Sequence, residues 1–161
     1  MRLARLMVTP MRAALLFLAV AAPTRAAEAP ERIFSCSFRA GRVEVERDGA
    51  TLTYRFGRPG RPEMVLSGDA ASGNVHYHRT LYARGENQTL RFQSGAYSYL
   101  IFNAFLAPNY WQQDSVDQSG LLVLHNGRRI ARMNCRDGGE FAEHPIFEQL
   151  PQDQENLVPR I

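Results

Sequence analysis

Two cysteines, Cys36 and Cys135, constrain the fold of this 161-residue chain more than any other feature of its sequence. Each stands where apolar and polar residues alternate, which predicts an inward-facing position on the first and on the last strand of a β-rich domain. A disulfide requires the two Cα atoms to lie within about 7 Å, so it would make these strands neighbours. The pair therefore favours a closed or nearly closed barrel, with two free buried thiols as the alternative.

A first hairpin is predicted around the turn signal Asp48-Gly49. Apolar residues alternate with polar ones in residues 43–46 before the turn and in residues 51–56 after it. A turn at Asp48-Gly49 would set Val45 opposite Leu52, on the buried face. Turn chemistry and hydrophobic pattern therefore agree on a hairpin with one buried face and one solvated face.

A second hairpin is predicted around Asn126-Gly127, with Leu122 opposite Ala131 and with Cys135 on the face of Leu122. Weaker strand patterns occupy residues 63–67, 75–80, 88–94 and 96–105. Short strands at this spacing predict an all-β fold. We expect an antiparallel barrel or closed sandwich of about eight strands, followed by a short irregular or helical tail.

The first 26 residues are predicted to be a signal peptide. Three arginines precede or border the apolar run 13–22, which has the length of a signal sequence core and is too short to span a bilayer. Small residues favour cleavage after Ala26, with Ala29 as the second choice. A membrane anchor is the alternative, but no membrane span is expected once the segment is removed. The β-domain is then predicted over residues 30–136.

Charge excludes nucleic acid as the expected partner. Four of the 19 arginines belong to the targeting segment, which leaves 15 arginines against 16 acidic residues. The basic character of the precursor is therefore a targeting signature. Six of the acids lie in residues 137–161, which we interpret as an acidic tail. The chain has no lysine, which indicates a GC-rich bacterial genome and so a periplasmic or secreted location.

The loop that contains Tyr110 and Trp111 is a candidate binding surface. These aromatic side chains stand among polar residues, and aromatic pairs in loops are typical anchors for a protein partner. The alternative is that Trp111 folds back over one mouth of the barrel and serves stability alone.

Catalysis, metals and cofactors have weaker signals. His76 and His78 would lie on one face of a strand, which is half of a metal site. His125 or His144 could supply further ligands, but no cysteine or carboxylate stands at ligand spacing nearby. They remain weak metal candidates, and no cofactor is expected. No nucleophile stands in a catalytic motif, so we expect a protein that is not an enzyme.

Four motifs carry a resemblance to known proteins: F-S-C, T-Y-R-F-G-x-P-G-x-P-E, F-Q-S-G-x-Y-x-Y and V-L-H-N-G-R-R-I-A-R-M-N-C. Together they resemble a group of small exported proteobacterial β-proteins with no assigned function. More loosely, size, compartment and a single disulfide resemble the periplasmic inhibitors of c-type lysozyme. That family carries S-G-x-x-Y on a loop that enters the lysozyme cleft. The resemblance implies a binding role for Ser94, with Tyr97 and Tyr99 each one residue from the motif's tyrosine position.

The sequence thus predicts an exported periplasmic protein that binds or interacts with a protein partner and does not catalyse a reaction. A lysozyme-type enzyme inhibitor is one alternative. A metal-binding module that uses His76 and His78 is the other.

Overall fold

The computed structural model of this protein describes residues 29–109 and 114–154. The predicted signal peptide, residues 1–26, lies outside the described residues, as do Tyr110 and Trp111. No described helix is both long enough and apolar enough to cross a membrane.

The described residues form ten strands and one short helix. The strands are β1 (Glu31–Ser37), β2 (Arg42–Asp48), β3 (Thr51–Arg58), β4 (Arg61–Gly68), β5 (Val75–Tyr82), β6 (Gly85–Ser94), β7 (Tyr97–Leu106), β8 (Val116–His125), β9 (Arg128–Asn134) and β10 (Asp137–Phe141). The helix is α1 (Ile146–Gln149).

The ten strands form two five-stranded antiparallel sheets that pack face to face. The first sheet has the order β10-β1-β2-β3-β4 and the second has the order β5-β6-β7-β8-β9. The predicted all-β antiparallel fold is confirmed, but as a sandwich. The expectation of a closed barrel is wrong, because β4 and β5 do not pair and the loop 69–74 carries the chain from one sheet to the other.

The disulfide between Cys36 and Cys135 is present, with the two Cα atoms 5.4 Å apart. It joins the two sheets, because Cys36 lies in β1 and Cys135 directly follows β9. The strand that pairs with β1 is β10, which brings Gly138 opposite Cys36. A disulfide requires its two Cα atoms to lie close together, and this condition can be met by neighbouring strands of a barrel or by strands in the two facing sheets of a sandwich. The cysteines alone therefore did not distinguish the two folds.

The first hairpin has a register that differs by two residues from the predicted one. Asp48 pairs with Thr51, and the turn residues are therefore Gly49 and Ala50. Gly49 has φ 58°, the conformation that a type II′ turn requires at its first central residue. Since side chains alternate with a period of two, this shift leaves every residue on its predicted face.

The second hairpin has the predicted Asn126-Gly127 turn, with φ 49° and 74° at its two residues, as in a type I′ turn. Its register then shifts between Leu124 and Val123, so that Leu122 pairs with Arg132 and not with Ala131. One extra residue in β9 thereby turns Cys135 away from the face of Leu122.

The main core lies between the sheets and includes the side chains of Phe34, Val43, Val45, Leu52, Tyr54, Leu90, Phe92, Ile101 and Leu121. The predicted tail contributes to it. Ile146, Phe147 and Leu150, in and next to α1, are buried in this core.

Strand β10 begins inside the segment 137–161 that was predicted as an acidic tail. Its sequence, DGGEF, has no apolar alternation, so it gives no strand signal. The glycines permit close pairing with β1, because a Cβ at Gly138 would lie only 2.4 Å from the Ser35 carbonyl oxygen. The structured part of the chain therefore continues past residue 136.

Candidate functional site

Four residues line up across one end of the second sheet. Ser94 pairs with Tyr97, Tyr97 pairs with His125, and His125 pairs with Arg128, so four successive strands contribute one residue each. We call Ser94, Tyr97, His125 and Arg128 the aromatic row. Directly opposite residues of antiparallel strands project from the same face, so the row is one continuous surface.

The Tyr97 ring contacts the tilted His125 ring within the row and stacks on Tyr99 next to the row. The ring centroids of Tyr97 and His125 are 4.6 Å apart, and those of Tyr97 and Tyr99 are 6.5 Å apart. The ring centroid of Tyr99 in turn lies 5.7 Å from that of Tyr54. Tyr54 is fully buried, and its ring centroid lies 5.5 Å from that of Phe92. A continuous series of rings therefore runs from the core to the surface, and it holds Tyr97 in place from below.

Burial decreases outward along this series. Tyr54 is 1% exposed and Tyr97 is 42% exposed, with Tyr99 between them. Burial raises the pKa of Tyr54 strongly above its usual value, and the neighbouring Tyr99 raises it further. Burial also raises the pKa of Tyr99, with a smaller contribution from Tyr97. The phenols of Tyr54 and Tyr99 are therefore neutral at physiological pH.

Two tight turns place the row at the end of the sheet. Gly95, with φ 58°, begins the turn that joins β6 to β7. The backbone N–H of Asn126, in the turn between β8 and β9, donates to the Ala96 carbonyl oxygen at 2.9 Å. A backbone hydrogen bond thus joins the two turns, and the exposed side chains stand on strand ends that the turns connect.

The structure brings together the predicted residues Ser94, Tyr97 and Tyr99. It adds His125 and Arg128, which sequence reasoning did not place at this site. The Asn126-Gly127 turn in the sequence could have predicted that His125 lies opposite Arg128. The pairing of β7 with β8, which brings both next to Tyr97, cannot be predicted from either strand alone. The prediction for Tyr110 and Trp111 lies outside the described residues.

The metal candidates His76 and His78 lie on the face of the second sheet that points away from the first sheet. His78 Nε2 is 2.7 Å from the Thr80 hydroxyl, whereas Nδ1 of each histidine is buried without a hydrogen-bond partner. Within residues 29–109 and 114–154, no three His, Cys, Asp or Glu side chains come together as a metal site would require. The described residues therefore add no third metal ligand to the pair His76 and His78.

A cleft of about 730 Å³ lies between β5 and the segment around α1. Tyr77 stacks on Phe147 with the ring centroids 4.6 Å apart, and its hydroxyl donates to Gln88 at 2.9 Å. Burial raises the pKa of Tyr77 to about 12, with Arg79 opposing the shift and Glu86 adding to it. The cleft mixes aromatic and charged groups. Sequence patterns could not predict it, because its walls come from segments that are distant in the chain.

His144 is fixed at the rim of this cleft. Its Nδ1 accepts a hydrogen bond from the Ile146 N–H at 3.0 Å, and its Nε2 is 3.5 Å from a Glu31 carboxylate oxygen. Both ring nitrogens therefore have partners in the structure, and the imidazole helps to position the start of α1.

Comparison with known proteins identifies no family model, no curated protein and no solved structure that matches this chain.

Proposed function

We propose that this protein is an exported, non-catalytic binding protein that recognises a protein partner through the aromatic row. The observation that carries this proposal is the exposed Tyr97 ring, packed between His125 and Tyr99 at the end of the second sheet. Aromatic side chains held in place before binding lose little conformational freedom when a partner covers them.

The chemistry of the row supports recognition of a polar partner. It combines a phenol, an imidazole, a hydroxyl and the Arg128 guanidinium, and it contains no carboxylate. Tyrosine and arginine are typical of the residues that contribute most of the binding energy at an interface, and here His125 lies between them on the neighbouring strand. The positive charge of Arg128 favours an acidic patch on the partner.

A periplasmic or secreted location belongs to the same proposal. The disulfide supports it, because such bonds persist in oxidising compartments. The predicted signal peptide over residues 1–26 supports it as well.

The test compares two tyrosine variants of the mature protein as bait in a periplasmic extract. Tyr97→Ala should reduce capture of a specific partner at least tenfold, because truncation of a central aromatic anchor typically costs about 2 kcal/mol or more of binding. Tyr82→Ala is the matched control, since Tyr82 is 47% exposed but lies on β5, away from the row.

The melting temperature of Tyr97→Ala should stay close to that of the wild type, because the Tyr97 ring is substantially exposed. Tyr82→Ala also removes the hydroxyl that accepts a hydrogen bond from the buried Asn87 amide at 2.7 Å, so its melting temperature should fall slightly while capture is kept. If Tyr97→Ala and Tyr82→Ala capture the same proteins in the same amounts, the aromatic row is not the recognition surface.

Inhibition of c-type lysozyme is a second candidate function. It is favoured by the direct pairing of Ser94 with Tyr97 across an exposed two-residue turn that contains Gly95. If the row enters the lysozyme cleft, the mature protein should inhibit cell-wall lysis in a purified assay, and Tyr97→Ala should weaken inhibition at least tenfold. Full lysozyme activity in the presence of excess protein would exclude this function and would leave the broader proposal to the capture experiment.

A further inference from the structure

Strand β9 forms one edge of the second sheet, because β8 is the only described strand that pairs with it. A strand in this position leaves one row of its backbone N–H and C=O groups unpaired. Three exposed arginines lie on β9, and we call Arg128, Arg129 and Arg132 the arginine edge. The arginine edge continues directly from the aromatic row, since Arg128 belongs to both.

The positive charges of the arginine edge are not compensated by the described part of the chain. No carboxylate of a described residue lies within ion-pair distance of any of the three guanidinium groups. Arg132 is held by neutral groups alone, because it donates to Asn134 Oδ1 at 3.0 Å and to Gln118 Oε1 at 2.9 Å. Its hydrogen bonds therefore fix the position of the charge without neutralising it.

Most arginines of the first sheet show the opposite arrangement. Arg32, Arg42, Arg47 and Arg55 each contact a glutamate carboxylate, at distances from 2.7 to 3.6 Å. Uncompensated charge is therefore not a general property of the exposed surfaces of this sandwich.

The arginines occupy both faces of the edge. Arg128 pairs with His125 and projects with the aromatic row, whereas Arg129 and Arg132 pair with residues on the other face of β8. Between them, Ile130 has no opposite residue in β8 and is 59% exposed. A partner that meets all three charges must therefore extend along the edge and contact both of its faces.

A second copy of this chain is a poor occupant of the arginine edge. Pairing of two such edges would set arginines against arginines, and like charges directly opposite each other destabilise a pair of strands. The charge fits carboxylates instead, because a guanidinium group can donate two parallel hydrogen bonds to a carboxylate.

We propose that the arginine edge binds an acidic, extended segment of the protein partner. The inference rests on the proposed function, because it names the chemistry of the partner that the aromatic row recognises. Carboxylates of the segment contact the three guanidinium groups, and an apolar side chain of the segment covers Ile130. Charge complementarity of this kind accelerates association and is weakened by salt.

The first test measures binding of a short poly-L-glutamate peptide to the full mature protein by titration calorimetry. Arg128→Gln/Arg129→Gln removes two charges beside the turn between β8 and β9. Arg58→Gln/Arg61→Gln is the matched control, because these two exposed arginines face each other beside the turn between β3 and β4 and also lack a carboxylate partner among the described residues. We expect about tenfold weaker binding for the first variant and less than about a twofold change for the control. Equal affinities of the two variants would overturn the proposal.

A second measurement uses the wild-type protein alone. On addition of poly-L-glutamate, the backbone amide signals of Arg129, Ile130 and Arg132 should shift in heteronuclear NMR spectra, whereas those of Arg58 and Arg61 should stay in place. Equal shifts at both positions would indicate attraction by net charge alone and would overturn the proposal.

Further outcomes separate this inference from the proposed function. If Tyr97→Ala loses partner capture while Arg128→Gln/Arg129→Gln binds poly-L-glutamate like the wild type, the row is supported and the arginine edge is overturned. If Tyr97→Ala keeps partner capture while the double variant loses poly-L-glutamate, the arginine edge is supported and the row is overturned. If the double variant loses binding to phosphatidylglycerol vesicles but keeps its affinity for poly-L-glutamate, the edge serves an anionic membrane and the proposal is overturned.

Discussion

The two ends of strand β8 are held by different means. At the Ser119 end, the Cys135 N–H donates to the Ser119 carbonyl oxygen at 2.8 Å, and Cys135 is bonded covalently to Cys36 in the other sheet. At the His125 end there is no covalent link to the first sheet, and the stacked rings of Tyr97 and Tyr99 run from the surface toward Tyr54 in the core.

The difference shows how a small sandwich can carry an exposed binding surface. The covalent end restricts the unfolded chain over a loop of 99 residues and so contributes stability that does not depend on local packing. The aromatic end can then expose Tyr97 without loss of the fold. Under this interpretation, perturbations of the first end should reduce stability most, and perturbations of the second end should reduce binding most.

The largest effect is expected from removal of the disulfide. The double variant Cys36→Ala/Cys135→Ala should lose on the order of 2–5 kcal/mol of unfolding free energy, because the unfolded chain regains its loop entropy. Urea denaturation with fluorescence detection measures this loss. A loss below 1 kcal/mol would mean that the two ends contribute equally and that the comparison fails.

A smaller loss is expected from Gly127→Val at the other end. Gly127 has φ 74°, a conformation that a β-branched residue adopts at a cost of about 1–3 kcal/mol. Asn126→Gly is the control at the neighbouring position, since glycine accepts φ 49° without strain. The control should keep wild-type stability in the same urea titration. Equal stability of Gly127→Val and wild type would show that the turn relaxes into another conformation.

The smallest effect is expected from alkaline pH, which acts on the tyrosines of the aromatic end. The folded pKa values of Tyr54 and Tyr99 are raised by burial, so their contribution to stability is complete below about pH 10 and is lost as the pH rises further. The midpoint of urea denaturation should therefore fall above pH 10. Tyr54→Phe should flatten this fall more than Tyr99→Phe, because Tyr54 is the more deeply buried. An unchanged profile in both variants would contradict the assignment.

Part of the candidate site could be predicted from sequence. Ser94, Tyr97 and Tyr99 belong to one short segment, so their proximity follows from local chain geometry. His125 and Arg128 join them only through the pairing of β7 with β8, which brings together residues 28 positions apart in the case of Tyr97 and His125. Long-range pairing of this kind depends on the whole sheet, and neither strand encodes it alone.

The sequence by itself determined which residues form most of the strands, which face of the first hairpin is buried, and which two cysteines are able to bond. These features follow from the alternation of apolar and polar side chains along a strand, from the turn residues and from the presence of a single cysteine pair. Only the tertiary structure showed that the fold is a sandwich and not a barrel, and that the glycine-rich segment 137–141 is a strand. It also set the registers of the two hairpins, which differ from the predicted ones by two residues in the first and by one residue after Leu124 in the second. The physical reason is that alternatives of this kind can bury nearly the same apolar side chains, so the choice depends on contacts between segments that are distant in sequence.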